Sequence, residues 1–255
     1  MTSDSTQSDA THSGTVEEEI ERLRSLIDSV RFVLFDFDGP ICHLFAGLAA
    51  ERVAEDQVRW LEEQGLRGLL AGGVREEPDP YVVLRAVDAR SPGSDLVTEL
   101  EERLTQQELS AVTSAMPTAY VDPLIRTWSA VGARLAVTTN NSPRAVGRYL
   151  ASRGLTDCFA PHVYGRTHDL HLLKPHPHCV QRALDAMGAD PARTLMIGDA
   201  PSDYVAARRA GVRFLGYARN DRKARPLREA GATHLVESLK PLLGVVYAVG
   251  DTKAQ

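Results

Sequence analysis

The chain has 255 residues, of which 43% are hydrophobic and 25% charged, enough for one large domain or two small ones with a sizeable core. Its net charge of −5 argues against a broad basic surface that would bind nucleic acid non-specifically. The three cysteines have no C-x-x-C spacing, which argues against a disulfide scaffold and favours a reducing cytoplasm. No run reaches the length of a membrane span, so no membrane partner is expected.

The N-terminal segment predicts a tail followed by a helix. Residues 1–15 are rich in Ser, Thr and Asp, and we expect a disordered tail without a secretory signal. Thr15 and Glu18 have capping-box spacing, and apolar residues at helical intervals follow as far as Val30. A short leading helix is therefore expected before the first strand.

The stretch RFVLFDFDGP begins as a buried strand over residues 31–36 and then places Asp36 and Asp38 two positions apart. Alternate side chains of a strand leave the backbone on the same side, so these two carboxylates share a face. Two neighbouring carboxylates at the end of an apolar strand repel each other and are costly to desolvate. This cost indicates that the pair serves a ligand.

Residues 44–118 differ in pattern from the rest of the chain. They are helical and loop-rich, without a convincing strand, and breaks such as AGGVREEPDP interrupt them. We therefore expect residues 44–118 to form a separate helical domain.

After residue 118 the pattern changes to strands that alternate with helices. The predicted strands include ARLAVTTN, PHVYG, TLMIGD, VRFLGYA and THLVESL, and amphipathic helices lie between them. This alternation is typical of an α/β fold, a Rossmann-like parallel sheet covered on both faces. The predicted core domain consists of residues 16–43 and 119–250.

Ligands of such sheets bind at the carboxyl ends of the strands. The residues expected at this edge are Asp36, Asp38, Thr138, Thr139, Asn140, Lys174, Gly198, Asp199 and Asp203. Four carboxylates around one point need a cation, and hard oxygen ligands favour Mg²⁺. Together with a lysine and a threonine hydroxyl, these groups are typical of phosphoryl transfer.

The sequence resembles the haloacid dehalogenase (HAD) superfamily over about residues 31–240. Its four ordered motifs are Asp36-Phe37-Asp38-Gly39, Thr139-Asn140, Lys174-Pro175, and Gly198-Asp199 with Asp203. A single D-x-D is weak evidence, whereas four ordered motifs at predicted strand or helix ends are specific. The family places its helical (C1) cap between the first two motifs, where residues 44–118 lie.

The resemblance implies the residues that react and bind metal. Asp36 resembles the nucleophile that becomes an aspartyl-phosphate. Asp38 resembles the general acid and base, and its main-chain carbonyl would also reach Mg²⁺. Asp199 resembles the metal-binding carboxylate, so the implied metal site consists of Asp36, Asp38 and Asp199.

The resemblance also implies the residues that bind phosphate and support the site. Thr139 and Asn140 resemble the phosphate-binding pair, although Thr138 is an alternative source of the hydroxyl. Lys174 resembles the lysine that offsets charge between nucleophile and phosphate. Asp203 resembles the second acid of its motif, which acts through water or orients Lys174.

Other residues near the motifs remain open at this stage. Gly39 lets the chain turn after the first motif, and Pro40 stands where the family commonly has Thr or Val. His43 contacts substrate or packs at the hinge. Five histidines surround the third motif, and solvated loop residues are favoured over metal ligands: His162, His168, His171, His176 and His178.

The first functional hypothesis is an Mg²⁺-dependent phosphatase acting on a small phosphorylated metabolite, similar to phosphoglycolate phosphatase. The alternatives are a phosphomutase of the β-phosphoglucomutase type and a non-catalytic HAD-like binding module. Asp38 disfavours a true haloacid dehalogenase, which lacks this second aspartate. We expect a cytoplasmic monomer or homodimer.

Overall fold

The computed structural model describes residues 6–254, with the side chains of residues 16–250. In chain order the elements are α1 (Thr6–Ile27), β1 (Phe32–Phe35), β2 (Cys42–His43), α2 (Ala50–Glu63), α3 (Gly72–Arg75), α4 (Pro80–Arg90), α5 (Asp95–Ala111), β3 (Met116–Pro117), α6 (Val121–Ala130), β4 (Arg134–Thr138), α7 (Pro143–Ser152), α8 (Thr156–Phe159), β5 (Val163–Tyr164), α9 (His178–Met187), β6 (Thr194–Gly198), α10 (Pro201–Arg209), β7 (Arg213–Tyr217), α11 (Asp221–Ala230), β8 (Leu235–Val236) and α12 (Lys240–Ala254).

Six strands form one parallel sheet in the order β5-β4-β1-β6-β7-β8. The first strand of the chain is therefore central, with β4 on one side and β6 on the other. The predicted α/β class and Rossmann-like parallel sheet are confirmed.

Helices cover both faces of this sheet because its central strands are apolar on both sides. In β1, Val33 and Phe35 belong to a buried cluster formed with α1, α6, α7 and α12. Leu34 points the other way, into a second cluster formed with α9, α10 and α11. The alternation of side chains along one strand thus supplies two separate hydrophobic layers.

Residues 44–118 form a helical insert that begins directly after β2 and ends with β3. Its helices α2, α4 and α5 bury a third apolar cluster that includes Val53, Leu84 and Leu100. Side-chain caps begin two of these helices, Asp79 for α4 and Ser94 for α5. The strands β2 and β3 pair antiparallel as the chain leaves and re-enters the sheet region.

The first helix begins earlier than the sequence predicts. Helix α1 begins at Thr6 and so includes residues 6–15, and the disorder predicted for this tail stays a prediction. Extending a helix that has already formed costs less free energy than starting one, which favours continuation into this polar segment. The remainder of the predicted tail, residues 1–5, lies outside the described residues.

No helix in the described part of the chain combines the length and the apolar character needed to cross a membrane.

Candidate active site

The register of the sheet brings the predicted motifs to one edge. Phe35 pairs with Val137 of β4 and with Ile197 of β6, so the residues after these three positions are neighbours. The amide of Asp36 also donates to the carbonyl of Ile197 at 2.8 Å. Asp36 therefore lies at the carboxyl edge, between the ends of β4 and β6.

Lys174 is buried and binds three oxygens at this edge. Its Nζ donates to Asp36 Oδ1 at 2.8 Å, to Asp203 Oδ1 at 2.5 Å and to the carbonyl of Thr138 at 3.1 Å. Burial alone would lower the pKa of Lys174, but Asp203 and Asp36 together raise it above its ordinary value. The ammonium therefore stays charged beside Asp36.

Asp203 holds Lys174 and the loop after β6 in place. Its second oxygen, Oδ2, accepts the amides of Asp199 and Ala200 at 3.1 Å each. A Cβ at Gly198 would lie 2.5 Å from the Cβ of Asp203, so glycine is required for this close approach. Both carboxylate oxygens of Asp203 are thus hydrogen-bonded to protein groups, and its supporting role stays a prediction.

Asp199 faces the turn that follows Asp38. Gly39 in that turn has a φ of +111°, and a Cβ there would lie 2.5 Å from Asp199 Cγ. Asp199 Oδ2 also accepts a hydrogen bond from Lys223 Nζ at 3.1 Å, and burial raises the pKa of Asp199. The glycine thus allows the first and fourth motifs to meet.

The acidic groups fit a divalent cation. Oxygens of Asp36, Asp199 and Asp203 lie within 4.8 Å of one another. Carboxylate oxygens are the ligands that Mg²⁺ prefers, and crowded carboxylates are stabilised by a cation between them. Because the oxygens of Asp203 are already hydrogen-bonded, Asp36 and Asp199 have the greater capacity to coordinate an ion.

The two carboxyls of the first motif have pKa values well above the ordinary value for aspartate. Burial, followed by the charge of Asp203, raises the pKa of Asp36 to about 7. Burial also raises the pKa of Asp38 to about 7. Asp38 Oδ1 accepts the amide of Leu44 at 2.9 Å, which holds this carboxyl where the chain enters the helical insert. A carboxyl with this pKa can both donate and accept a proton near neutrality.

The predicted phosphate-binding pair is present at the edge, but its side chains contact protein groups. Thr139 Oγ1 donates to Asn141 Oδ1 at 2.8 Å. The Asn140 amide binds the backbone of Lys174 on both sides, accepting from its N–H at 2.8 Å and donating to its carbonyl at 3.2 Å. The hydroxyl of Thr138 is buried and has no partner within the described part of the chain. The phosphate-binding role of Thr139 and Asn140 stays a prediction.

A pocket of about 720 Å³ opens between this edge and the helical insert. Asp36, Asp38, His43, Asn140 and Asp199 line it from the sheet side. The insert contributes Glu51, Asp79 and Tyr81 among other residues. A second cavity, of about 560 Å³, lies near the start of β7 and contains none of the motif carboxylates.

The five histidines near the third motif belong to no group of three or more close metal-binding side chains in the described part of the chain. His162 Nδ1 lies 2.9 Å from Tyr164 Oη, and the rings of His176 and His178 have centroids 6.4 Å apart. Within the described residues, the group of three or more metal-binding side chains is the aspartate set at the sheet edge. His43 is half-buried in the pocket, and burial together with Arg219 and Lys223 lowers its pKa.

Sequence reasoning missed several charged residues around this site. Arg219 and Lys223 line the pocket. Arg219 lies in the loop after β7, and Lys223 lies near the start of α11. Glu108 of α5 is fully buried and paired with Arg166. The signal for Glu108 was its position, because it continues the apolar stripe of Leu100 and Leu104 at helical spacing.

Comparisons with known proteins agree with this fold. A sequence model of the haloacid dehalogenase-like hydrolase family matches residues 30–211. A phosphoglycolate phosphatase of Rhodospirillum rubrum is 29% identical over 240 residues, covering 86% of this chain and 93% of that protein. A phosphoglycolate phosphatase of Neisseria gonorrhoeae is 26% identical over 238 residues, which cover 86% of this chain and 97% of that protein.

Solved structures share the fold at lower sequence identity. The crystal structure of a predicted phosphatase from Clostridium acetobutylicum superimposes with a TM-score of 0.63 at 15% identity, over 86% of this chain and 99% of that chain. The fold and the family match together define a hydrolase with an α/β core. The chain belongs to the haloacid dehalogenase-like hydrolase family, as its four motifs predict.

Proposed function

We propose that this protein is an Mg²⁺-dependent phosphatase that hydrolyses a small phosphorylated metabolite through an aspartyl-phosphate on Asp36. The observation that carries the proposal is the contact of Lys174 with Asp36, which lines the pocket together with Asp38 and Asp199. The similarity to phosphoglycolate phosphatases supports the same activity.

In the first half of the proposed reaction, a carboxylate oxygen of Asp36 attacks the phosphorus of the substrate. The bond between phosphorus and the leaving oxygen breaks as Asp38 gives its proton to that oxygen, and the alcohol departs. Lys174 holds Asp36 by a 2.8 Å hydrogen bond and brings positive charge toward the approaching phosphate.

In the second half, Asp38 takes a proton from a water molecule, which attacks the phosphorus of the aspartyl-phosphate. Inorganic phosphate leaves, and the carboxylate of Asp36 is regenerated. The pKa of Asp38, raised by burial to about 7, supports this exchange between acid and base.

The carboxylates of Asp36 and Asp199 and the main-chain carbonyl of Asp38 would hold the metal ion. When bound, Mg²⁺ would lower the pKa of Asp36 and neutralise negative charge on the phosphate oxygens. The close spacing of the oxygens of Asp36 and Asp199 supports this assignment.

We further propose that the helical insert, residues 44–118, is a cap domain and that residues 16–43 and 119–250 form the core domain. The third apolar cluster supports this division, because all of its buried residues except Leu170 and Leu173 belong to the insert. Residues of both parts line the pocket, so the insert would exclude water and select the substrate. His43, the residue directly before the insert, would contact the substrate.

The surroundings of the pocket favour a small anionic substrate. Arg219 and Lys223 line it, and Lys174 contacts Asp36 from behind this lining; such positive groups attract a phosphate ester. The thiols of Cys42 and Cys179 are free and buried, which supports a cytoplasmic enzyme.

The experiment is a measurement of phosphate release from p-nitrophenyl phosphate and from a panel of small phosphomonoesters that includes phosphoglycolate. We expect activity with Mg²⁺ and its loss when EDTA is added. Absence of activity on every ester in the presence of Mg²⁺ would contradict the proposal. Isomerisation of a sugar phosphate, with a bisphosphate primer, would instead favour the mutase.

A further inference from the structure

A buried network ties the helical insert to the catalytic edge. Both carboxylate oxygens of Glu108, in α5, accept hydrogen bonds. Oε1 accepts from Tyr81 Oη at 2.8 Å, from Asn141 Nδ2 at 3.2 Å and from Arg166 Nη1 at 3.0 Å. Oε2 accepts the amide of Ser142 at 2.9 Å and Arg166 Nη2 at 3.1 Å. Glu108 therefore joins two segments of the core to its own helix.

Arg166 extends the network along α5. Its side chain is fully buried, and its Nε donates to Glu101 Oε1 at 2.9 Å while Nη2 donates to Thr105 Oγ1 at 2.9 Å. Its Nη1 also donates to the carbonyl of Asn140 at 2.9 Å. One guanidinium thus links two turns of the helix to the loop after β4, and its charge is compensated by two carboxylates.

This loop in turn fixes Lys174. The Asn140 amide binds the N–H and the carbonyl of Lys174, and Nζ of the same lysine binds Asp36. A continuous chain of hydrogen bonds therefore runs from Glu108 through Arg166 and Asn140 to Lys174. A shift of α5 would be transmitted to the group that contacts the nucleophile.

We infer that Glu108 and Arg166 are positioning residues, which hold the loop of residues 139–142 and the backbone of Lys174 in register with Asp36. Neither residue lines the pocket. Their effect on turnover would come through Asn140 and Asn141, because small displacements of catalytic groups slow a reaction strongly. Only the kinetic readout of this inference rests on the proposed function.

The test compares Glu108→Gln with Glu102→Gln in the full chain. Glu102 lies on the same helix and pairs with Arg144, but its side chain is 50% exposed. For Glu108→Gln we expect kcat for p-nitrophenyl phosphate to fall about 10- to 100-fold with little change in KM. For Glu102→Gln we expect kcat within about twofold of the parent, since exposed ion pairs contribute little.

Hydrogen–deuterium exchange supplies a readout that needs no substrate. In Glu108→Gln we expect faster exchange of the amides of residues 139–142, with the strands β1 and β6 as protected as in the parent. Unchanged exchange in residues 139–142 would overturn the inference, whatever the kinetics are. If the parent protein hydrolyses no ester, the proposed function fails while this exchange experiment still decides the inference.

A second variant keeps the test decisive if Glu108→Gln does not fold. Arg166→Lys retains the positive charge opposite Glu108 but loses the forked guanidinium that also reaches the carbonyl of Asn140. We expect a folded protein with faster exchange in residues 139–142 and a lower kcat. Parental exchange in this variant would equally overturn the inference.

Discussion

Lys174 is the cation that offsets the negative charges of Asp36 and Asp203 at the edge of the sheet. It is buried and contacts Asp36 and Asp203, while Asp199 lies close to both carboxylates. A buried charge of this kind is tolerated because its partners are charged and well hydrogen-bonded. The same contacts that place Lys174 for chemistry therefore make the fold dependent on it.

Replacement Lys174→Met should abolish phosphatase activity and destabilise the protein. Asp36 and Asp203 would lose their shared cation, and breaking a buried ion pair costs about 3–5 kcal/mol. Urea denaturation in the presence of EDTA would measure the loss in the free energy of unfolding.

The matched control is Lys223→Met, which removes a half-exposed cation from the same site. We expect this variant to lose no more than about 1 kcal/mol, as is usual for exposed ion pairs. Equal losses in the two variants would show that burial of Lys174 does not matter to stability.

At the scale of elements, the turn after β1 connects the first motif to the fourth. Gly39 adopts a left-handed conformation and packs against Asp199. Gly65 also has a positive φ, of +76°, but a Cβ there would meet no atom within 4 Å. Substitution by alanine should therefore cause backbone strain at both positions but crowding only at Gly39.

Gly39→Ala should raise the Mg²⁺ concentration that gives half-maximal activity, because the new Cβ would displace Asp199. Gly65→Ala should lose stability through strain alone, about 1–2 kcal/mol, without a change in Mg²⁺ dependence. Titration of activity with Mg²⁺ checks both expectations. An identical Mg²⁺ dependence for Gly39→Ala and the parent would contradict the role of this contact.

The sequence predicted the elements whose patterns are long or strongly periodic. The apolar strand β1 and the amphipathic helix α5, for example, carry clear signals over their own lengths. The ribbon of β2 and β3 was missed because two residues per strand give no period. The sequence analysis also did not predict helices α6 and α12.

The part of the site that was predictable is the set of residues that directly follow the parallel strands. Asp36 and Asp199 meet because parallel strands end at one edge. The burial of Glu108 arises from contacts between the insert and the core, such as the hydrogen bonds that it accepts from Asn141 and Ser142. Such contacts join residues far apart in the chain, so no local pattern predicts them.

At the scale of the whole molecule, the core and the helical insert meet around a group of carboxylates. Three aspartates with close oxygens repel one another, and Lys174 and Lys223 compensate only part of their negative charge. Because burial and neighbouring acids raise the pKa of Asp36 to about 7, metal binding should compete with protonation there.

Mg²⁺ should therefore raise the melting temperature of the protein, and EDTA should reverse the change. An ion that binds only the folded state stabilises it by about 2.7 kcal/mol at a concentration 100 times its Kd. Asp199→Asn should reduce this shift, since it removes one of the two carboxylates with spare capacity. A shift of the same size in Asp199→Asn would place the ion elsewhere.

The most direct test of the account is to find the phosphoryl group on Asp36 during turnover. Acid quenching of the enzyme with p-nitrophenyl phosphate and Mg²⁺, followed by peptide mass spectrometry, should reveal one added phosphoryl group on Asp36. Asp38→Asn should accumulate this species, because a good leaving group needs little acid catalysis whereas hydrolysis still needs the base. Active enzyme with unmodified Asp36 in both proteins, or an Asp36→Asn variant that still releases phosphate, would contradict the account.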